Sequence, residues 1–350
     1  MITLNQVTGL FEGILAGLFC TLLINPVSIW LTEKIGLLDI PGRAAHKQHS
    51  RPTPLAGGIT LLTVEFLLIL FFRLWHRPYG VLWGAATIIF LFGIWDDAKG
   101  LSALPKFLGQ VLASCFLIAG GITVKFLTKF ALPFDEPVLT WLGYGLTILW
   151  LTGVTNAVNL IDSMDGLAAG VSGVAFAFFM GMAVIAQQPE LALFSGLMLG
   201  ICLGLYVFNV TPARLFLGDS GAQTLGFLLA VVAIMYNPSQ PPQGSSWFVP
   251  IMVLGVPIFD TLLVMVSRLV YHRPVFRADR AHTYHHLLYL GLSPVQSVTI
   301  IHVVALVLNL LAFIALSLPP LLANLIFGAT VCIGLGMLVF LVRKDPLKGR

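Results

Sequence analysis

Eleven apolar runs, each about as long as the hydrocarbon core of a bilayer is thick, recur along this 350-residue chain. They lie near residues 10–31, 56–72, 79–95, 105–121, 138–155, 167–187, 191–209, 222–237, 247–267, 296–316 and 321–342. The runs are too long for transmembrane β-strands and lack their alternating pattern, so each reads as a helix. Charged residues make up only 10% of the chain against 58% hydrophobic ones, where a soluble domain carries about 25% charged residues. The sequence therefore predicts an all-α, polytopic integral membrane protein with about 10–11 transmembrane helices.

Proline, glycine and charge punctuate the runs, as in Pro-Ser-Gln-Pro-Pro-Gln-Gly at 238–244 and in Pro319-Pro320. No internal repeat or soluble domain interrupts them, so residues 1–350 read as a single membrane domain. With no Lys or Arg before Lys34, the first run lacks the basic start of a cleavable signal and is read as a retained span. Cys20, Cys115, Cys202 and Cys332 stand singly in apolar runs, without disulfide or ligand spacing.

Placing the N-terminus outside puts 15 of the 19 Lys and Arg residues in one set of loops, leaving Arg73, Arg77, Lys125 and Lys129 in the other. The positive-inside rule makes the first set cytoplasmic, with the C-terminus on the same side. Asp96, Asp97, Asp162, Asp165 and Asp219 fall in that set too, although only cations decided the topology. The expected site is thus assembled from loops near 36–58, 93–106, 156–166, 211–224 and 268–291, facing the cytoplasm.

The third of these loops follows the apolar stretch Trp141–Val154 and reads Asn156-x-x-Asn159-x-x-Asp162-x-x-Asp165-Gly166. On a helix each three-residue step turns about 300°, so these four side chains cannot share one narrow face. They fit the polar end of a membrane helix unwinding into a loop. Two carboxylates side by side at that depth repel and call for a cation or a cavity. Asp96-Asp97, followed by Lys99 and Lys106, ends another span. Adjacent helical residues point about 100° apart, so one acid can hold a metal while the other works as a base.

The first loop crowds Arg43, His46, Lys47, His49 and Arg51 before Pro52, Pro54 and Gly57-Gly58, a stretch suited to gripping phosphates. Gly218-Asp219-Ser220-Gly221 opens a span with a carboxylate and unpaired N–H groups at a positive helix end, which alone is also an ordinary helix cap. The fifth loop holds Arg273, Arg277, Asp279, Arg280, His282, His285 and His286. Its histidines lack a nearby Cys or an HExxH pattern, so a diphosphate suits them better than zinc. Asp260 and Glu65 sit inside spans, and Glu65 receives no role.

Acids at helix ends, many cations and no Ser-His-Asp or Cys-His order argue against acyl transfer. Carboxylates supply oxygens for Mg²⁺, which takes one or two of them plus phosphate oxygens and water. Phosphoryl-type transfer asks mainly for positioning and charge stabilisation. The membrane setting makes one substrate a lipid.

The motifs His49-x-x-Pro52-x-Pro54-x-x-Gly57-Gly58, Asp96-Asp97 with Lys106, Asn156-x-x-Asn159-x-x-Asp162-x-x-Asp165-Gly-Leu, Phe216-x-Gly218-Asp219-Ser-Gly and Asp279-Arg280-x-His282 occur in this order. In this the chain resembles the polyprenyl-phosphate N-acetylhexosamine-1-phosphate transferases of glycosyltransferase family 4, particularly the bacterial branch making undecaprenyl-diphosphate-GlcNAc. The resemblance implies transfer of a sugar-1-phosphate from a UDP-N-acetylhexosamine to undecaprenyl (polyprenyl) phosphate at the plasma membrane, releasing UMP and initiating a cell-envelope glycan. It implies Mg²⁺, with Mn²⁺ as a substitute, held by Asp219, Asp97 and Asp162. The catalytic set is Asp96 as base or general activator of the lipid phosphate, supported by Asp97, together with Asp165 and Lys106; direct attack by the lipid phosphate and a phosphorylated Asp96 both stay open. Nucleotide, sugar and phosphate contacts fall to Asn156, Asn159, Asp162, Phe216 (stacked on uracil), His49, Arg51, Arg280, His282, His285 and His286. Besides these substrates and the lipid bilayer, a homodimer is compatible with the reading, and no nucleic-acid partner is expected.

The chain departs from the family pattern at Ser163, where Gly is usual, and at His282-Thr-Tyr284-His285-His286, where His-x-His-His is usual. The register of the histidine motif therefore stays open. Ala44-Ala45 also leave Arg43 earlier than a common family arrangement, with His46-Lys47 filling the basic positions. The runner-up is the phospho-MurNAc-pentapeptide transferase branch or another UDP-N-acetylhexosamine. The first-loop wording and the absence of three consecutive histidines stand against the MurNAc branch. A cation-coupled transporter would place acids deep inside spans and show repeat symmetry, whereas most acids here sit at cytoplasmic helix ends and no repeat shows.

Overall fold

The computed structural model describes residues 4–41, 51–125, 134–238, 246–272 and 282–344. The helices in order are α1 (Leu4–Ile35), α2 (Gly57–Phe71), α3 (Tyr79–Lys99), α4 (Ala103–Ala119), α5 (Glu136–Ile161), α6 (Leu167–Ile185), α7 (Pro189–Asn209), α8 (Gly218–Met235), α9 (Val249–Val253), α10 (Gly255–Val270), α11 (Thr283–Tyr289), α12 (Pro294–Ala315) and α13 (Pro320–Arg343). Among the described residues, eight of them (α1, α3, α5, α6, α7, α8, α12 and α13) are long and apolar enough to cross a membrane. The shorter apolar helices α2 and α4 occupy two further expected runs.

The run expected at 247–267 is not one straight helix. It breaks at Leu254 into α9 and α10. Pro257 explains the break, since it has no N–H for the Val253 carbonyl four residues back and its ring crowds that carbonyl. The freed Val253 oxygen instead accepts from Asn309 Nδ2 of α12 at 3.1 Å. An unpaired carbonyl in an apolar slab would cost several kcal/mol, so the proline and the asparagine belong together.

α8 is the axis of the bundle. Every residue from Ser220 to Ala233 is buried, and from Leu225 onward the helix is apolar on all sides. α3, α5, α2 and α6 pack around it, while α13 turns large apolar side chains such as Leu321, Ile333 and Leu335 outward. Lipid tails are as apolar as these side chains, so helices in a bilayer associate through close packing. Small residues permit that packing: a Cβ on Gly200 of α7 would lie 2.2 Å from the Ile14 carbonyl of α1, and one on Gly17 of α1 would lie 2.4 Å from the Leu197 carbonyl.

The same device draws α2, α3 and α8 together at the end of the bundle where the acids lie. A Cβ on Gly93 of α3 would fall 2.4 Å from Ser220 Cα, and one on Gly57 of α2 would fall 2.7 Å from Leu217 Cα. Two-residue strands β1 (Leu38–Asp39) and β2 (Thr53–Pro54) pair antiparallel just ahead of α2. The chain then continues onto the loop before α8: Phe216 N donates to Pro54 O at 2.9 Å, and Gly57 N to Phe216 O at 3.1 Å.

Gly200→Val should lower the melting temperature of the detergent-solubilised protein by several degrees, because overpacking costs about 1–3 kcal/mol. Gly334→Ala, on α13 with nothing within 4 Å of the added carbon, should leave it unchanged. Equal melting temperatures for wild type and Gly200→Val would contradict the backbone contact between α1 and α7.

Candidate active site

The acids end up where helix ends converge. Asp96 and Asp97 close α3, Asn156 and Asn159 lie in the last turns of α5, Lys106 lies in the first turn of α4, and Asp219 lies in the first turn of α8. The adjacent acids of α3 diverge as their helical spacing requires. Asp96 is buried, with its Oδ1 accepting from Leu101 N at 2.6 Å and its Oδ2 paired with the Lys106 ammonium. Lys106 Nζ also lies 3.5 Å from Asp219 Oδ1. One cation therefore bridges two carboxylates on different helices.

Asp219 Oδ1 further accepts from Asn159 Nδ2 at 2.8 Å and from Gln223 Nε2 at 3.3 Å. Gln223 Oε1 in turn accepts from Gln110 Nε2 at 3.1 Å, and Gln110 exchanges hydrogen bonds with Asn156 at 3.1 and 2.7 Å. A chain of amides, exposed at Asn156 and buried at Gln110 and Gln223, thus runs from α5 through α4 to α8 and ends on Asp219. Its fixed dipoles hold the carboxylate without adding charge. Gln110 and Gln223 have no place in the sequence-based site. The available signal was a lone amide inside an apolar run.

Asp97 faces the other way. Its Oδ1 accepts from Asp219 N at 2.7 Å, and its Oδ2 accepts from Ser220 N at 3.1 Å and from Ser220 Oγ at 2.6 Å. The Asp219 and Ser220 N–H groups of the Gly-Asp-Ser-Gly motif are therefore engaged within the protein. Gly218, at φ +70°, brings the chain to this point with no room for a side chain, since a Cβ there would sit 2.7 Å from Asp97 Oδ2.

Beyond the end of α5, Asp162 is half-buried. Burial first, then the neighbouring Asp219, Asp97 and Asp165 charges, push its carboxyl up to about 8. Asp165 accepts from Thr211 Oγ1 and Ala213 N, both at 3.2 Å, and so ties the α5–α6 turn to the α7–α8 loop. Asn209 reinforces the tie, accepting from Gly166 N and donating to Leu215 O at 3.0 and 2.9 Å. This buried asparagine is a third residue that sequence reasoning missed. Phe216, half-buried beside Gly57, completes this end of the bundle.

A second buried polar cluster forms where α11 meets α10. His282 Nδ1 lies 2.7 Å from Asp260 Oδ2, and Asp260 Oδ1 accepts from Thr283 N at 2.7 Å. Tyr284 Oη lies 2.6 Å from His285 Nε2, and His282, His285 and His286 are all buried. His282 stands just before α11 as its N-cap, while His285 and His286 lie within that helix. Asp260 thereby gains the partner that the sequence did not supply. Arg51 is exposed beside β2, whereas His49 and Arg280 lie outside the described residues. Glu65 is buried in α2, away from these hydrogen-bonded groups, and neither of its oxygens has a hydrogen-bond partner among the described residues.

The residues present fit a divalent cation. Asp96, Asp97, Asp162, Asp165 and Asp219 set five carboxylates against the Lys106 ammonium. Among the described residues no three His, Cys, Asp or Glu side chains form a closed metal cage. Mg²⁺ needs none, since it keeps water and substrate phosphates around one or two carboxylates. A cavity of about 850 Å³ lies at the opposite end of the bundle, between Tyr79, Trp150, Glu190 and Tyr236, apart from this chemistry.

A carboxylate only accepts, so Asp260 fixes the proton of neutral His282 on Nδ1. ¹⁵N spectra of histidine-labelled protein should show that tautomer for His282 and its loss in Asp260→Leu. An Nε2–H tautomer in the wild type would refute the pairing.

Residues 79–237, which carry α3 to α8, match the model of glycosyl transferase family 4. The chain is 32% identical over 304 residues to a Bacillus subtilis (strain 168) protein named probable undecaprenyl-phosphate N-acetylglucosaminyl 1-phosphate transferase, covering 86% of this chain and 83% of that one. It is 30% identical over 366 residues to decaprenyl-phosphate N-acetylglucosaminephosphotransferase of Mycobacterium tuberculosis (strain CDC 1551 / Oshkosh), covering 95% and 89%. It is 27% identical over 320 residues to phospho-N-acetylmuramoyl-pentapeptide-transferase of Staphylococcus aureus (strain MSSA476), covering 86% and 98%. With these motifs, this fold and that extent of similarity, the chain belongs to glycosyl transferase family 4.

Proposed function

We propose that this protein transfers N-acetylhexosamine-1-phosphate, with GlcNAc-1-phosphate the first candidate, from a UDP-sugar to undecaprenyl or another polyprenyl phosphate. The observation that carries the reading is the Asp96–Lys106–Asp219 bridge, which holds a buried carboxylate, an ammonium and a second carboxylate together at the ends of three helices. The names of the two relatives with 30% identity or more support the same acceptor and sugar. The 27% identical MurNAc-pentapeptide relative supports the runner-up less strongly.

In this reading an oxygen of the lipid phosphate attacks the sugar-bearing phosphorus of the UDP-sugar. The bond from that phosphorus to the bridging oxygen breaks, and UMP leaves with the oxygen. Asp96 accepts the proton of the lipid phosphate, and Lys106 pairs with phosphate oxygens as charge moves between them. A Mg²⁺ or Mn²⁺ ion, when bound, neutralises diphosphate charge, and Asp219 and Asp162 are the residues to hold it. Asn159 and the Gln223–Gln110–Asn156 chain keep Asp219 aimed. Phe216 offers a ring for the uracil, while Arg51 and the histidines near α11 suit the phosphates and the sugar. The 15-to-4 division of Lys and Arg supports an orientation with this end in the cytoplasm and the protein in the plasma membrane.

Purified protein with Mg²⁺ and undecaprenyl phosphate should release UMP from UDP-GlcNAc, and chelation of the metal should stop it. Release from UDP-MurNAc-pentapeptide alone would favour the runner-up, and no UMP from any UDP-N-acetylhexosamine would reject the transferase reading. Asp96→Asn and Asp219→Asn should each lower turnover by about 100-fold or more, whereas Glu65→Gln should stay within about twofold of wild type, in line with a residue outside the machinery. Wild-type turnover in Asp219→Asn would remove that residue from the proposed site.

A further inference from the structure

The first turn of any α-helix leaves N–H groups without an intrahelical partner, and the side chain of the N-cap residue ordinarily takes the N2 or N3 N–H. In α8 the N-cap position is Leu217, which has no side-chain oxygen and forms no such bond. Asp219 and Ser220 are the N2 and N3 residues, and both of their N–H groups donate to Asp97, 122 and 123 residues earlier in the chain. The Ser220 hydroxyl supplies a third hydrogen bond.

We infer that Asp97 is a positioning residue: it caps α8 from α3 and so fixes the backbone from which Asp219 projects. The inference rests on the transferase reading only for its catalytic consequence. Several contacts act together at this point. Gly93, one turn before Asp97, lets Ser220 Cα pack directly on α3, and Gly58 leaves room for Ser220 Oγ beside α2. A carboxylate is also the favourable charge at a helix N-terminus. Asp96 and Asp97 thus divide the work. The first faces Lys106 and Asp219, and the second sets where Asp219 stands. Both Asp97 oxygens are already hydrogen-bonded to α8, which separates this residue from the base and metal-ligand roles of its neighbours.

Hydrogen–deuterium exchange on the full-length protein in detergent or nanodiscs, followed over residues 216–222, reads the cap without reference to activity. Exchange at 219–220 should be at least tenfold faster in Asp97→Ala and intermediate in Asp97→Asn, which keeps one acceptor oxygen. Should Asp97→Ala fail to fold, Asp97→Asn and Ser220→Ala carry the same comparison. UMP release then tests the consequence in a double-mutant cycle. Ser220→Ala should cost several-fold in the wild-type background and less than twofold beside Asp97→Asn, because both act through one helix tip. Unchanged exchange at 219–220 in a folded Asp97 variant would overturn the cap. Equal Ser220→Ala penalties in both backgrounds would assign Asp97 a direct part in the chemistry. If no UDP-sugar is turned over, the exchange result still stands or falls by itself.

Discussion

Everything at the working end of this bundle follows from the difficulty of holding several carboxylates together beside an apolar slab. Two like charges 4 Å apart repel by about 4 kcal/mol at an effective dielectric of 20. Five acids share this end with Lys106, the one bridging ammonium among the described residues. Each acid meets the problem differently. Asp96 takes the lysine, Asp97 a helix N-terminus, Asp165 a loop hydroxyl and N–H, and Asp219 an amide network. Asp162 has no such partner in the described hydrogen bonds, and burial, followed by the neighbouring charges, pushes its carboxyl up to about 8. Among the neighbouring charges that act on Asp162, Asp219 comes first, and a cation shared by the two would relieve that repulsion.

That electrostatic arrangement depends on backbone proximity. The Asp97 hydrogen bonds at 2.6–3.1 Å require α3 and α8 to touch, and Gly93 against Ser220 is what lets them. A larger residue there would separate the helices and leave the first N–H groups of α8 unpaired, so packing and polar satisfaction fail together. The glycines of this end serve mainly to bring charged groups within hydrogen-bonding reach. On the far side of the bundle, Gly17 and Gly200 perform the same packing role with no chemistry attached.

Sequence periodicity exposed most of the fold, because hydropathy is a local quantity and each run reports its own burial. The break at Leu254 was harder to read. Pro257 signals it, but whether a helix bends or continues depends on a partner for the Val253 carbonyl, and that partner, Asn309, lies more than fifty residues on. The acid motifs were legible as a set, and the divergence of Asp96 and Asp97 follows from helical geometry alone. Their division of labour was not, because Asp97 acts on a helix tip 122 residues away. The same holds for Asp260 and His282, 22 residues apart and joined only when α11 folds against α10. A histidine motif counted along the chain leaves its register open. In space, Asp260 grips His282 and Tyr284 lies against His285.

The capped helix also constrains how a diphosphate can bind. An uncapped N-terminus would offer its first N–H groups and positive dipole end to a phosphate, and the Gly-Asp-Ser-Gly motif resembles such a site in sequence. With Asp97 in place, those groups already face a carboxylate, and a second anion approaching the same point would meet repulsion. Phosphate binding therefore has to rely on side-chain cations and on any metal held by Asp219 and Asp162. Lys106 is the ammonium already within reach of Asp219. Substituting a fixed internal anion for a substrate anion at the helix tip turns α8 from a phosphate cradle into a rigid mount for one carboxylate. A substrate diphosphate would then meet α8 through the Asp219 side chain and its cation rather than through the backbone.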